Sequence, residues 1–209
     1  MKIGIVNEVS ACVKNKDIVK ALEAYENVEI LNMGMHEPTE ENPLTYIQTG
    51  IMSAILLNCG ICDFVVGGCG TGQGYLNVVM QFPNVFCGLI QEPLDAWLFS
   101  QINGGNCISL ALNKGYGWAA DINLQYIFEK LFKDPAGQGY PLERAQSQQH
   151  SKAMLEKLSG HTHKTLAQAL KDLDEEVLAP IRKRVDFIAL LEENTEKNEL
   201  VREICEILK

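Results

Sequence analysis

Residues 63–74 read Asp63-Phe64-Val65-Val66-Gly67-Gly68-Cys69-Gly70-Thr71-Gly72-Gln73-Gly74. An apolar, β-branched run of the kind found in a strand buried on both faces gives way to glycines set around one cysteine. Glycine there permits positive φ and a close approach of backbone to a ligand. The stretch predicts a strand, a tight turn and the start of a helix.

The same texture recurs on either side. Residues 2–7, 28–31, 85–89 and 107–110 are further short apolar runs bounded by Gly, Asn, Asp or Pro. Between them apolar residues fall at helical spacing. Ile18, Leu22 and Tyr25 make one stripe, and Ile47, Ile51, Ile55 and Leu56 another. Leu94, Trp97, Leu98 and Ile102 make a third, and Leu124, Ile127, Phe128, Leu131 and Phe132 a fourth. Five alternations of strand and helix predict an α/β domain whose five-stranded parallel sheet is covered on both faces. Ligands in such folds bind beyond the carboxyl ends of the strands, at a topological switch point. The turn at 68–72 follows the third strand, so it is the expected site.

Asp134-Pro135-Ala136-Gly137-Gln138-Gly139-Tyr140-Pro141 is a loop by composition. It divides the α/β part, 1–141, from a segment 142–209 with no strand signal and one proline, Pro180. There Leu166, Leu170, Leu173, Val177, Ile181, Val185, Ile188 and Leu191 form one long stripe at helical spacing. A second helix is expected over 196–208. Helices with a single apolar face need a cover, so this C-terminal helical extension is expected to pack on the α/β part or on a neighbouring subunit.

The 209 residues are 46% hydrophobic and 22% charged, with a formal net charge of -9, as in an ordinary globular chain. An acidic chain lacks the clustered cations of a nucleic-acid binder, and Arg182-Lys183-Arg184 lies between acidic segments. No apolar run approaches the ~20 residues that span a bilayer, and no signal-peptide pattern opens the sequence. A cytoplasmic protein with neither nucleic-acid nor membrane partner is expected. Seven cysteines, an odd number, point to reduced thiols rather than a disulfide framework. Cys59-Gly60-Ile61-Cys62 has redox or zinc spacing, but no second pair follows. His161-Thr162-His163 reads as a surface pair, because i and i+2 diverge on a helix. No metal site is expected.

The turn fits no G-x-G-x-x-G register and lacks the Gly-Lys-Ser/Thr ending of a P-loop, which excludes the nucleotide motifs. At a helix N-terminus the amides of Gly70, Thr71 and Gly72 would favour an anion, and a thiol at Cys69 would ionise more readily. Such a thiolate could act as a nucleophile in acyl transfer. It could equally be a base removing a carbon-bound proton while the amides hold the enediolate. The four histidines, His36, His150, His161 and His163, offer no clear Cys–His pair.

With its Cys-Gly-Thr-Gly core, residues 63–74 resemble the family of ribose-5-phosphate isomerase B and galactose-6-phosphate isomerase. The similarity extends over about 1–145 and includes Gln91-Glu92-Pro93 and Asn103-Gly104-Gly105-Asn106. It implies a Rossmann-like three-layer α/β/α sandwich, working as a homodimer or homotetramer with active sites between subunits. It also implies aldose–ketose isomerisation through an enediolate, without metal or cofactor. By that resemblance Cys69 is the base, and Thr71 with the amides around Gly70, Gly72 and Gly74 stabilises the enediolate. Asn103 contacts substrate hydroxyls, and Arg144 matches one of the family's anion-binding arginines. Another branch uses a glutamate where Tyr75 stands.

The departures narrow the substrate. Glu8-Val9 replaces the family's aspartate–histidine pair, making Glu8 the candidate second acid/base. Ile102 replaces the ring-opening histidine, and Asn113-Lys114 and Tyr140 stand where arginines are expected. Lysine does not replace the bidentate guanidinium on a phosphate. A non-phosphorylated 4-deoxy-5-ketouronate, which has a carboxylate and needs no ring opening by histidine, suits the site. The alternatives are ribose 5-phosphate or another sugar phosphate as substrate, a sugar-binding protein without catalysis, and a thiol hydrolase.

Overall fold

The computed structural model describes residues 1–39 and 41–209. Its strands are β1 (Lys2–Asn7), β2 (Glu29–Asn32), β3 (Phe64–Cys69), β4 (Cys87–Ile90) and β5 (Cys107–Ala111). All pairings are parallel, in the order β2-β1-β3-β5-β4. The helices α1 (Asn15–Leu22), α2 (Tyr46–Asn58), α3 (Gln73–Val79), α4 (Pro93–Leu98) and α5 (Ala120–Phe132) cover the sheet. The stripe at 94–102 runs through α4 into a π-helical turn, Phe99–Asn103.

Side chains alternate across the sheet and build two cores. Ile3, Ile5, Val66, Ile108 and Leu110 pack with Ile18, Ala96 and Phe128 of α1, α4 and α5. Val6, Val65, Cys69 and Cys107 pack with Ile51, Ile55, Tyr75 and Val79 of α2 and α3. The result is the three-layer Rossmann-like sandwich. Thr45 and Gln48 start α2 with a reciprocal capping box. That helix buries every residue from Gln48 to Leu56, because the sheet covers one side and the C-terminal helices the other.

Those helices are α6 (Ala145–Thr162), α7 (Leu166–Lys171), α8 (Glu175–Arg182), α9 (Val185–Glu193) and α10 (Glu199–Leu208). The apolar stripe from 166 to 191 is thus three helices. Asp172 and Asp174, residues that compete with the helix for backbone partners, stand at the first break. The periodicity survives the breaks because each piece turns its apolar face to one core. Leu166, Leu170, Leu178, Ile181, Phe187 and Leu191 all lie in it with α2. The last helix begins at Glu199, not at 196, since the Asn198 side chain accepts from the Val201 amide at 3.1 Å and caps it. Within the expected helical extension, the sequence pattern did not single out α6 as a separate helix. Its only buried residue is Ser159, and Met154, Leu155 and Leu158 are exposed. Among the described residues no helix is long and apolar enough to cross a membrane.

The order of the strands sets the position of the site. From β1 the chain crosses one face through α1 to β2, while from β3 it leaves over the other face through α3. The segments after β1 and β3 therefore diverge, and a crevice forms at the carboxyl ends of these neighbours.

Candidate active site

Cys69 is the last residue of β3. It extends the strand three residues beyond the 63–66 run, and its side chain is 5% exposed on the α2–α3 side. Among the described residues its thiol has no hydrogen-bond partner. Its carbonyl accepts from Gly72 N at 3.3 Å and Leu112 N at 3.0 Å, which fixes the turn between β3 and β5. Gly72 has φ 75, in the left-handed region, and caps α3 there. Gly67 lies directly under the Tyr75 ring: an added Cβ would come within 1.9 Å of it. Tyr75 is fully buried, with its hydroxyl on Ser53 Oγ at 2.6 Å. It is a packing residue of the α2–α3 core.

Glu8 follows β1, caps the 3-10 helix Val9–Lys14 and meets Cys69's neighbour across the crevice. Its carboxylate accepts from Ser10 N at 2.9 Å, from Ser10 Oγ and from Gly70 N at 3.3 Å, and Glu8 is 5% exposed. The structure thus brings together Glu8, Cys69, Gly70, Thr71 and Gly72. It also revises how the turn's amides are used. Gly70 N is engaged by Glu8 and Gly72 N by the Cys69 carbonyl, leaving Thr71 N without an intrachain acceptor among the described residues. The Thr71 hydroxyl accepts from Gln73 N at 3.3 Å. Gly74 lies one turn further, in α3 beneath Tyr46.

Asn113, two residues after β5, completes the rim. Its amide donates to the Ser10 carbonyl at 3.0 Å, and its backbone N–H donates to the Gly70 carbonyl at 2.8 Å. Lys14 Nζ donates to Asn113 Oδ1 at 3.1 Å and stands 5.4 Å from the centre of the Tyr116 ring. The sequence pattern did not single out Ser10 or Lys14. The short 3-10 helix Val9–Lys14 that carries them has no periodic signature. A cleft of about 180 Å³ opens beside this rim, between the ends of β4 and β5 and α5. Lys114, Tyr116, Trp118 and Gln91 line it, and Cys69 lies outside it.

Asn103 and Arg144 are not part of this cluster in one chain. Val65 pairs with Cys107 at the start of β5, and Cys69 pairs with Ala111 at its end. Asn103 precedes β5, so it sits at the opposite end of the sheet, more than roughly 13 Å away at ~3.3 Å per residue. Arg144, exposed, opens α6 in the segment that Gly137 and Gly139 tie to Ser100 and Gln101 at the same far end.

The cysteine pair at 59 and 62 is buried, and burial pushes both thiols up to about 12. Protonated thiols are poor nucleophiles and poor metal ligands. All seven cysteines are free. Among the described residues no group of three His, Cys, Asp or Glu side chains could hold a metal ion. His161 and His163 lie at the end of α6, with His163 Nδ1 3.0 Å from the Ser159 carbonyl.

The sequence profile described as Ribose/Galactose Isomerase matches residues 3–133, which include the whole crevice. The chain belongs to the ribose/galactose isomerase family. It is an enzyme of sugar isomerisation by that membership. Similar solved structures fall into two groups. A 4-deoxy-L-threo-5-hexosulose-uronate ketol-isomerase, crystallised with a tartrate, is 41% identical, with a TM-score of 0.93 over 100% of this chain and 99% of its own. A ribose-5-phosphate isomerase from Vibrio parahaemolyticus is 39% identical, with a TM-score of 0.91 over the same shares. Both span the helical extension of this family member. A type B ribose 5-phosphate isomerase from Trypanosoma cruzi shares the fold, at 14% identity and a TM-score of 0.64, over 77% of this chain and 99% of its own. Among curated protein sequences none matches this isomerase-family chain.

Proposed function

We propose that this family member is a cofactor-independent aldose–ketose isomerase whose substrate is a non-phosphorylated 4-deoxy-5-ketouronate. One observation carries the choice of substrate: the first of the chain's four arginines is Arg144, so the α/β part that builds the crevice contains none. A phosphate dianion calls for bidentate guanidinium groups, whereas a carboxylate is satisfied by a lysine and neutral donors. The full-length likeness to a uronate ketol-isomerase supports the same substrate class.

In this mechanism the Cys69 thiolate removes the proton from the carbon beside the substrate carbonyl. The electron pair moves to the carbonyl oxygen and gives an enediolate, and the thiol returns the proton to the neighbouring carbon. Thr71, with its unengaged amide and its hydroxyl, holds the developing oxyanion. Glu8 fixes Gly70 and Ser10 and carries the proton between the two enediolate oxygens. Gly70 keeps the floor of the crevice open, while Gly72 and Gly74 let the turn and α3 pack closely on Leu89, β5 and Tyr46. No histidine is required at Ile102, because the substrate reacts in its open form.

Asn103 and Arg144 complete such a site only if a second copy supplies them, since they lie at the far end of their own sheet. A homodimer with two shared sites meets this need. The exposed apolar face of α6 follows Arg144 directly and would be covered in that assembly.

The test is carbon–proton exchange in D2O, followed by NMR, across aldoses, ketoses, their phosphates and 4-deoxy-5-ketouronates. The wild-type protein is expected to exchange and isomerise the ketouronate, and Cys69→Ala to lower kcat at least about 100-fold. Efficient interconversion of ribose and ribulose 5-phosphates with ketouronates untouched would establish the second reading, a sugar-phosphate isomerase, which the 39% identical relative favours. Ligand binding without exchange would establish a sugar-binding protein.

A further inference from the structure

The crevice holds one cation that neither sequence spacing nor the family pattern assigns. Lys114 donates its backbone N–H to the Gly70 carbonyl at 3.1 Å and lines the cleft beside α5, outside which Cys69 lies. Arg144 sits at the opposite end of the sheet. Lys14, by contrast, closes the 3-10 helix that begins beside Glu8. Its ammonium donates to Asn113 Oδ1 at 3.1 Å and lies over the Tyr116 ring. Asn113 in turn grips Ser10 and Gly70, the two residues that hold the Glu8 carboxylate.

We infer that Lys14 binds the carboxylate of the substrate, an assignment that rests on the uronate isomerase reading above. Three features support it. First, Lys14 forms no ion pair among the described residues. Asp17, the carboxylate on the next turn, instead accepts from the Tyr116 hydroxyl at 2.8 Å. Second, the ammonium is positioned: a neutral acceptor and an aromatic face hold it without neutralising it, and two of its three N–H donors remain for a ligand. Third, it is a fixed positive charge in a chain of net charge -9, where an anionic substrate otherwise meets repulsion. One chain thereby supplies the base, the enediolate donors and the anion contact. A substrate whose carboxylate rests on Lys14 presents its carbonyl end toward Thr71 and Cys69.

The experiment pairs steady-state kinetics on 4-deoxy-L-threo-5-hexosulose-uronate with calorimetric titration of tartrate, a small dicarboxylate. Lys14→Met is expected to raise KM about tenfold or more with kcat within about threefold, and to weaken tartrate binding to a similar degree. Lys14→Arg should recover most of both losses, because a guanidinium reaches the same acceptor and ring. Lys16→Met, two residues away and exposed, controls for a general change of charge. Unchanged KM and tartrate affinity in Lys14→Met overturn the inference, as does an arginine variant no better than the methionine one. If the wild-type protein leaves the ketouronate untouched, the functional reading falls, and tartrate affinity alone decides Lys14. Failure of the wild-type protein to bind either compound overturns both.

Discussion

Cys59, Cys62 and Cys69 show how one residue type takes different parts according to its surroundings. Cys59 and Cys62 lie where α2 ends and β3 begins, beneath the C-terminal helices. Burial pushes their thiols up to about 12 from an ordinary value near 9.0, with smaller contributions from Cys205 on Cys59 and Asp63 on Cys62. A folded-state pKa above the unfolded one contributes stability at lower pH and loses it as pH rises through the folded value. The urea midpoint is therefore expected to fall as pH increases from about 8.5 toward 11. It should fall less steeply in Cys59→Ala/Cys62→Ala. An equal slope in wild type and variant would show that these thiols do not govern the alkaline limb. Tyr75 and Cys87, also raised by burial, keep some of the decline in the variant.

At the scale of elements, α8 and the segment before α2 depend on each other. Pro180 sits in the last turn of α8, where carbonyls lack intrahelical partners. Lys183 N takes the Ala179 carbonyl and Arg184 N that of Ile181, and Asn42 Nδ2 donates to the Pro180 carbonyl at 2.5 Å. Arg184, 7% exposed, adds a contact to Met35 Sδ at 3.4 Å, and Asp186 grips its guanidinium at 2.7 and 3.0 Å. Met35 and Leu44 meanwhile bond the backbone at Asn7 and Val9, on either side of Glu8. The C-terminal helices thus steady the rim of the crevice from behind. Arg184→Ala is expected to lower stability by about 1–3 kcal/mol in urea unfolding and to speed amide exchange at Met35 and Val9. If exchange there is unchanged, the clamp does not reach the rim.

For the whole molecule, the decisive fact is that Cys69 and Asn103 occupy opposite ends of one sheet. Two inactive variants, Cys69→Ala and Asn103→Ala, should then restore each other when mixed and re-associated. In the proposed homodimer with shared sites, a hybrid contains one site with both residues intact. Random pairing therefore gives about a quarter of wild-type activity. No recovery beyond the sum of the separate variants would mean that each chain works alone.

Much of this architecture is legible in the sequence because its causes are local. Strand texture, helical spacing and the glycine-rich turn yield five parallel strands, their covering helices and the place of Cys69. Helix α6 escapes the pattern because it turns its apolar residues outward. The stripe at 166–191 hides its breaks because three helices face one core. Sequence spacing also sets the turn's amides around an anion, whereas the fold assigns two of them to Glu8 and to the Cys69 carbonyl.

The sequence by itself determined the α/β fold, the family and the residue types in the crevice, including the lack of arginine before Arg144. Only the tertiary structure decided which of those residues meet. Strand order places Glu8 beside Gly70 across 62 positions of chain, and Lys14 beside Asn113 across 99. Contacts at such separations follow from sheet pairing and layer packing, which no local pattern encodes.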